Sequence, residues 1–444
     1  LSEPNATPGP TPSPAVAGLT AYRVPKHGAP VDLVLSGNEG IAPPRALLTE
    51  LAEADPELLR RYPSAAPLEA ALAERFGVHP AQVIVTAGGD DALERTFRAF
   101  LAPDRSVILP APTFVMLPKY ATLVGATQVP VPWPGGAFPT DAVLAEISED
   151  TGAICVVSPN NPTGAVATAD DLRRLSRAAP QAVLVVDLAY GEMADEDLTP
   201  AALELPNALV FRTFSKAWGL AGARLGYAIG PAELIAWLRA AGNPYAVSGP
   251  SVALGLLRLR AGDDDVRAYV AEVRAERAAL TELLREAGAE VPDSQANFVL
   301  ARFSDHALAQ WLHDAAAGLG IAVRLFGEEP PELRGCVRIT CPGDAAGLRR
   351  VLHAIRAALQ PGALVVEGDA DHRALEVVAG QPAWYFTKTA DGVRAARRAG
   401  AVPLGLEGDD AEAPEALIAA GAARVVSGPD ALEGLLPAAI RGGV

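Results

Sequence analysis

The run AVLVV at residues 182–186 is apolar throughout and stops on a carboxylate, Asp187. A strand that is apolar on both of its faces must be covered on both. In practice that means a parallel sheet with helices above and below it. Similar runs stand at residues 83–86 (VIVT), 106–109 and 153–157, each followed by turn residues rich in Gly, Pro or Asn. Open α/β sheets bind ligands beyond the carboxyl ends of their strands. The residues just after each run are therefore where chemistry is expected.

After residues 83–86 come Ala87, Gly88, Gly89 and Asp90, then a helical pattern over 91–101 with Leu93, Phe97, Phe100 and Leu101 on one stripe. A strand, a glycine turn and a helix start aim backbone N–H groups and the positive end of the helix dipole at an anion. Gly88, Gly89 and Asp90 are thus a candidate phosphate cup. The run at 106–109 leads to Phe114, and the run at 153–157 leads into SPNNPTG, where prolines fix a loop around Asn161. Asp187 is followed three residues later by Tyr190. A carboxylate at the end of a buried strand is costly without a cation beside it.

The chain has only four lysines, Lys26, Lys119, Lys216 and Lys388, and otherwise carries its positive charge as arginine. Lys216 lies between Thr213, Ser215 and, eight residues on, Arg224. Arginine cannot attack a carbonyl, whereas a desolvated lysine amine can. Amine, hydroxyls and guanidinium together suit an aldehyde that carries a phosphate.

The segment TFSKAWGLAGARLGY, with PNNPTG and DLAY before it, resembles the fold-type I pyridoxal-phosphate aminotransferases, and among them the histidinol-phosphate aminotransferases. The likeness runs from about residue 22 to 359. It implies pyridoxal 5′-phosphate as cofactor, held by Lys216 through its aldehyde. Asp187 would pair with the ring nitrogen, Asn161 and Tyr190 would meet the phenolic oxygen, and Phe114 would stack on the ring. Gly88, Gly89, Asp90, Thr213, Ser215 and Arg224 would hold the phosphate, with Tyr62 reaching it from a neighbouring subunit. Lys216, Asp187 and Tyr190 would carry the catalysis. On the substrate side, Tyr22 would line the pocket, Arg338 would clamp a carboxylate or its surrogate, and Arg324 would meet a distal phosphate. The family commonly has Glu where this chain has Leu188, and usually Tyr where it has Phe114. The implied partners are small amines and oxo acids, and the implied assembly is a homodimer with shared active sites. Decarboxylation of an amino-acid phosphate, transamination of aromatic amino acids, or a cofactor-binding regulatory protein without turnover are the alternatives on this scaffold.

The expected fold is α/β and aspartate-aminotransferase-like, with a disordered leader at 1–18 and an N-terminal segment of the small domain at 19–46. A large domain at 47–248 would hold a mainly parallel seven-stranded sheet, and 249–360 would complete a smaller α/β domain. Residues 31–35 read as a short strand. The Arg- and Glu-rich residues 268–287 read as a solvated helix joining the domains.

Residues 361–444 show four short apolar runs alternating with Ala/Leu-rich helical patterns, the rhythm of a small parallel sheet. This tail resembles the later half of haloacid-dehalogenase-like phosphatases. Glu367 stands at the presumed nucleophile and Lys388 where metal-binding acids would sit, so the tail is expected to be non-catalytic, and a chain ending at Pro361 to keep its transaminase activity.

A net charge of −16 argues against binding a phosphate backbone. No run approaches the ~20 apolar residues of a membrane span, and no secretory signal is evident. Cys155, Cys336 and Cys341 read as reduced thiols and the six histidines form no cluster, so a cytoplasmic protein without a metal site is expected.

Overall fold

The computed structural model describes residues 10–21, 26–327, 330–367 and 379–435. The first strand, β1 (Leu33–Val34), precedes a large sheet made of β2 (Val83–Thr86), β3 (Ser106–Ala111), β4 (Thr127–Pro132), β5 (Thr151–Val157), β6 (Val183–Asp187), β7 (Ala208–Thr213) and β8 (Gly226–Ile229). These seven strands lie in the order β2-β8-β7-β6-β5-β3-β4. All pairs are parallel except those of β8, which runs antiparallel to both β2 and β7. The apolar run before Asp187 sits near the sheet's centre, and its side chains divide by alternation. Leu184 and Val186 join one core with Leu172 and Leu175, whereas Val183 and Val185 join another with Phe97, Leu117 and Ile235. Burying each such side chain stabilises the fold by roughly 1.5–3 kcal/mol.

The helix after β2 spans Gly88–Phe100, three residues earlier than the expected start at 91. Both glycines therefore lie in its first turn. The Asp91 carboxylate accepts the Ala87 N–H at 2.9 Å, which caps the turn from within. Gly88 takes φ +83°, and a Cβ on Gly226 would lie 2.5 Å from the Gly88 and Gly89 backbone. Glycine at 226 is what lets β8 pass that closely.

The smaller half contains β9 (Phe298–Arg302), β10 (Ile321–Ala322), β11 (Arg324–Leu325) and β12 (Cys336–Thr340). Strands β11, β12 and β9 form an antiparallel sheet in that order, and β1 pairs parallel with β10. The expected strand at 31–35 is thus shortened to β1. The expected solvated helix is instead amphipathic. It spans Asp263–Glu286 and buries Val266, Tyr269, Val273, Leu280, Leu283 and Leu284, along with Glu276. Its charged composition hides a helical apolar stripe. The leader also departs from expectation. Pro14–Ala17 forms one helical turn, and Lys119 Nζ donates to the Thr20 carbonyl at 2.8 Å just beyond it. Residues 1–9 of that segment lie outside the described residues.

The tail forms β13 (Ala363–Val366), β14 (Ala383–Thr387), β15 (Val402–Leu406) and β16 (Arg424–Val426), parallel neighbours in sequence order. It does not stand apart. Trp384, Phe386, Val402, Leu404 and Ala423 belong to the same apolar cluster as Trp311, Val351 and Ile355. The rings of Trp311 and Trp384 meet edge to face with centroids 4.7 Å apart. Their indole N–H groups donate to Ala358 and Ala357 carbonyls at 2.8 and 2.7 Å, at the end of the helix Ala345–Leu359. Among the described residues no helix is long and apolar enough to cross a membrane.

Candidate active site

The carboxyl ends of β3, β5, β6 and β7 and the strands of the smaller half border a cavity of 2170 Å³. Asp187, the last residue of β6, lines it and is only 6% exposed. One carboxylate oxygen accepts the Ala189 N–H at 3.0 Å, and no ion pair to it forms among the described residues. Burial pushes its pKa up to about 6, against the opposing pull of that hydrogen bond and of Lys216. A buried acid held by one backbone donor lacks a cation. An aromatic ring with a protonated nitrogen, lying in the cavity, would supply it.

Lys216 follows β7 and faces the same cavity. Its Nζ donates to the Gly37 carbonyl at 3.1 Å and lies 5.6 Å from the centre of the Tyr190 ring. The loop that carries it is pressed against the N-terminal segment. A Cβ on Gly40 would fall 2.0 Å from the Lys216 carbonyl oxygen, so only glycine fits there.

An anion-accepting end is built from two strand ends and the helix start. Arg224 adopts left-handed φ 47°, a conformation that costs a non-glycine residue on the order of 1 kcal/mol or more and gathers at functional sites. It pairs with Asp90 at 3.1 Å. A Cβ on Gly88 would stand 2.6 Å from its guanidinium, so glycine is what leaves room for Arg224 at the helix start. The hydroxyls of Thr213 and Ser215 are 2.9 Å apart, and the Ser215 N–H donates to Thr213 Oγ1 at 3.0 Å. Asp90, Gly89, Thr213, Ser215 and Arg224 line the cavity together; Gly88, next to the Arg224 guanidinium, is not part of that lining. Hydroxyls, a guanidinium and a helix N-terminus fit a phosphate, as the ring-nitrogen partner fits Asp187.

On the opposite wall, Arg338 of β12 is 8% exposed. It donates to Asn161 Oδ1 at 2.5 Å and to the Ser36 carbonyl at 2.7 Å, and it lies 5.2 Å from the centre of the Phe298 ring. This leaves the Asn161 amide N–H₂ to face other groups. Arg324 is its cross-strand neighbour and also lines the cavity, as does half-buried Phe114.

Two expected residues are not in this group. Tyr62 is 82% exposed and stacks on Tyr245 with ring centroids 4.7 Å apart, away from the cavity lining. Tyr22 lies outside the described residues.

Sequence reasoning missed a network behind Tyr190. Asn38, fully buried with φ 56°, donates from Nδ2 to the Tyr190 hydroxyl at 3.0 Å. Its side-chain oxygen accepts from Thr340 Oγ1 at 2.9 Å, and its carbonyl accepts from Asn297 Nδ2 at 3.2 Å. Because Asn38 donates to it, the Tyr190 hydroxyl keeps its own proton for another acceptor. The available signal was Asn38 inside SGNEG, since asparagine tolerates the left-handed region.

The family model for aminotransferases of class I and II matches residues 34–355. A histidinol-phosphate aminotransferase of Cereibacter sphaeroides is 37% identical over 358 residues, which cover 78% of this chain and 96% of that protein. An aromatic amino acid aminotransferase of Streptomyces coelicolor is 36% identical, covering 70% of this chain and 89% of its own. Among solved structures, the histidinol-phosphate aminotransferase from Sinorhizobium meliloti, in complex with pyridoxal 5′-phosphate, superposes with TM-score 0.67 at 24% identity, over 78% of this chain and 97% of its own. An aspartate aminotransferase variant of Thermus thermophilus gives 0.66 at 26% identity, over 79% and 100%.

Proposed function

This chain belongs to the class I and II aminotransferases, enzymes of pyridoxal 5′-phosphate with the aspartate-aminotransferase-like fold, and from that premise we propose that it moves an amino group between a phosphorylated amine of the histidinol-phosphate type and a 2-oxo acid such as 2-oxoglutarate. The observation that carries the reading is the cavity itself. It gathers a lysine amine, a buried acid without a cation, an anion-accepting end and two arginines on the facing wall.

Pyridoxal 5′-phosphate, when bound, supplies an aldehyde for the amino group and a ring that withdraws electrons from the substrate α-carbon. We assign its holding to Lys216 at the aldehyde, Asp187 at the ring nitrogen, and Asn161 and Tyr190 at the phenolic oxygen. Phe114 would cover the ring. Gly88, Gly89, Asp90, Thr213, Ser215 and Arg224 would hold the phosphate, joined by Tyr62 of a second copy. Facing a cation, Asp187 would ionise and keep the ring nitrogen protonated. The Lys216 amine, exchanged for the incoming donor, would take the proton from the α-carbon at Nζ and later return it. Arg338 would fix the donor by a two-pronged contact and so align the C–H bond to be broken, while Arg324 would bind the far phosphate.

In this reading the chain works as a cytoplasmic homodimer in histidine biosynthesis. Residues 47–248 act as the large domain, 19–46 and 249–360 as the small one, and 361–444 as an added non-catalytic module. A second reading, transamination of aromatic amino acids, is favoured by the likeness to the Streptomyces coelicolor protein. Steady-state assays with histidinol phosphate and with phenylalanine, each paired with 2-oxoglutarate, separate the two. A kcat/KM for phenylalanine above that for histidinol phosphate would reverse the assignment.

A further inference from the structure

A second cavity, of 570 Å³, opens where the tail meets the smaller half, lined by Asp32 and Ile321 where Val31, Val34 and Ala322 of the same chain segments line the first. Its apolar lining includes Leu319, Ile321, Ala419 and Ala420. Its rim carries four guanidinium groups, those of Arg350, Arg394, Arg397 and Arg398, together with the imidazole of His353. In a chain of net charge −16 such a concentration of positive charge is conspicuous. Asp32 is the one acid among the described residues that line it.

The charges are only partly neutralised. Asp32 takes two contacts from Arg350, at 2.9 and 3.1 Å, and lies 3.5 Å from Arg397. Arg394 pairs with Asp391 at 2.7 Å on its own helix, Ala390–Ala399. Arg397 Nη1 is buried and has no hydrogen-bond partner among the described residues. Arg398 forms no ion pair among them. His353 Nε2 donates to the Gly400 carbonyl at 2.6 Å.

We propose that this cavity binds a small phosphate monoester, its phosphate taken by Arg350, Arg397 and Arg398 and its organic body laid on the apolar lining. Guanidinium forks match phosphate oxygens in geometry and charge. A volume of a few hundred Å³ with an apolar base and a few convergent polar groups is typical of small-molecule sites. The residues come from both sides of the junction: Asp32, Leu319, Ile321, Arg350 and His353 from the smaller half, the remaining arginines and alanines from the tail. The ligand therefore also fastens the tail to the enzyme.

The site is wired to the first cavity through Asp32. This residue directly precedes β1, whose backbone is held by Leu33 and Leu35 N–H groups donating to Gly320 and Ala322 carbonyls. Ser36, Gly37 and Asn38 follow at once, and they contact Arg338, Lys216 and Tyr190 respectively. A phosphate that takes over Arg350 and Arg397 releases Asp32 from both, and the strand it anchors loosens. The inference does not depend on which amine the enzyme uses.

Titration calorimetry of the cofactor-loaded, full-length protein with inorganic phosphate and with phenyl phosphate tests it. Arg324→Gln/Arg338→Gln removes the substrate-anion contacts proposed in the first cavity, whose own phosphate-holding end the cofactor fills, and Arg398→Gln alters an exposed residue of the second with no ion pair among the described residues. We expect a saturable site that persists in Arg324→Gln/Arg338→Gln, binds phenyl phosphate more tightly than phosphate, and weakens about tenfold or more in Arg398→Gln. Hydrogen exchange at the Leu33 and Leu35 amides should quicken when phenyl phosphate binds the wild type, and not in Arg398→Gln at the same concentration. No saturable site in Arg324→Gln/Arg338→Gln, or one that Arg398→Gln leaves unchanged, overturns the proposal.

Discussion

Arg324 and Arg338 stand directly opposite each other across the antiparallel pair β11–β12, two permanent positive charges in one cross-strand register. Like charges at paired positions destabilise a sheet. Arg338 is moreover almost fully buried, donates to the Asn161 side chain and the Ser36 carbonyl, and lies beside the Phe298 ring. Both arginines line the cavity, which is why we propose that they act on what enters it. In the proposed reading, an anionic substrate held between them would offset the repulsion.

If both arginines act on substrate, their losses should differ in kind. Arg338→Gln should lower kcat/KM by roughly 10²-fold or more for every donor, because the two-pronged contact is lost. Arg324→Gln should raise KM for histidinol phosphate and leave phenylalanine turnover within a few-fold. Equal losses for both donors in Arg324→Gln would remove its proposed phosphate role.

Asp187 gives a pH signature in the cofactor-free protein. Its pKa rises on folding from the ordinary 3.8 to about 6. Between those values the folded chain keeps a proton that the unfolded chain has released. The contribution to stability is therefore greatest below about pH 4, falls as pH rises through about 6, and then levels, a loss of roughly 3 kcal/mol at most. Cofactor-free Asp187→Asn should melt higher than cofactor-free wild type at pH 8 and at the same temperature near pH 4. The loaded variant should nonetheless lose at least about 10²-fold in kcat, since nothing holds the ring nitrogen protonated. Equal melting at pH 8 would contradict the buried, cation-free state of this acid.

Tyr62 tests the dimer. It is exposed and absent from the lining of its own chain's cavity, so in the proposed dimer it would serve a neighbour's. Lys216→Ala mixed with an inactive Tyr62→Ala should recover activity, with roughly a quarter of all sites intact at full subunit exchange. Verified exchange without recovery would exclude sharing.

The tail should matter for stability more than for chemistry. Trp384 is fully buried against Trp311, so Trp384→Ala should cost about 3–5 kcal/mol. A protein ending at Pro361 should keep its turnover per folded molecule yet melt lower and aggregate sooner, because it exposes Trp311 and its neighbours. Magnesium-dependent release of phosphate from histidinol phosphate by the full chain would show the tail to be a working phosphatase.

Much of the large sheet could be read from the sequence because its strands announce themselves as continuous apolar runs, each leading to a turn. Gly89, Asp90, Phe114, Asn161 and Asp187 could be singled out for the same reason, since they stand at those strand ends, whereas Arg324 and Arg338 were reached only through the family resemblance. What escaped is instructive. The Asp263–Glu286 helix concealed its buried stripe beneath charged residues of the same length. Asn38, Asn297 and Thr340 meet only through tertiary packing across more than 250 residues of chain, and no local pattern marks such a meeting. The junction between tail and smaller half was equally invisible. Trp311 and Trp384 look like two unrelated tryptophans until the sheet places them ring to ring.

If Lys216 holds the cofactor through its aldehyde, borohydride reduction will fix the cofactor at that residue. The loaded protein, reduced and digested, should yield one pyridoxyl-modified peptide containing Lys216, and Lys216→Ala treated alike should yield none. Modification at Lys26, Lys119 or Lys388 instead, or an equally labelled Lys216→Ala, would exclude Lys216 as the residue that holds it.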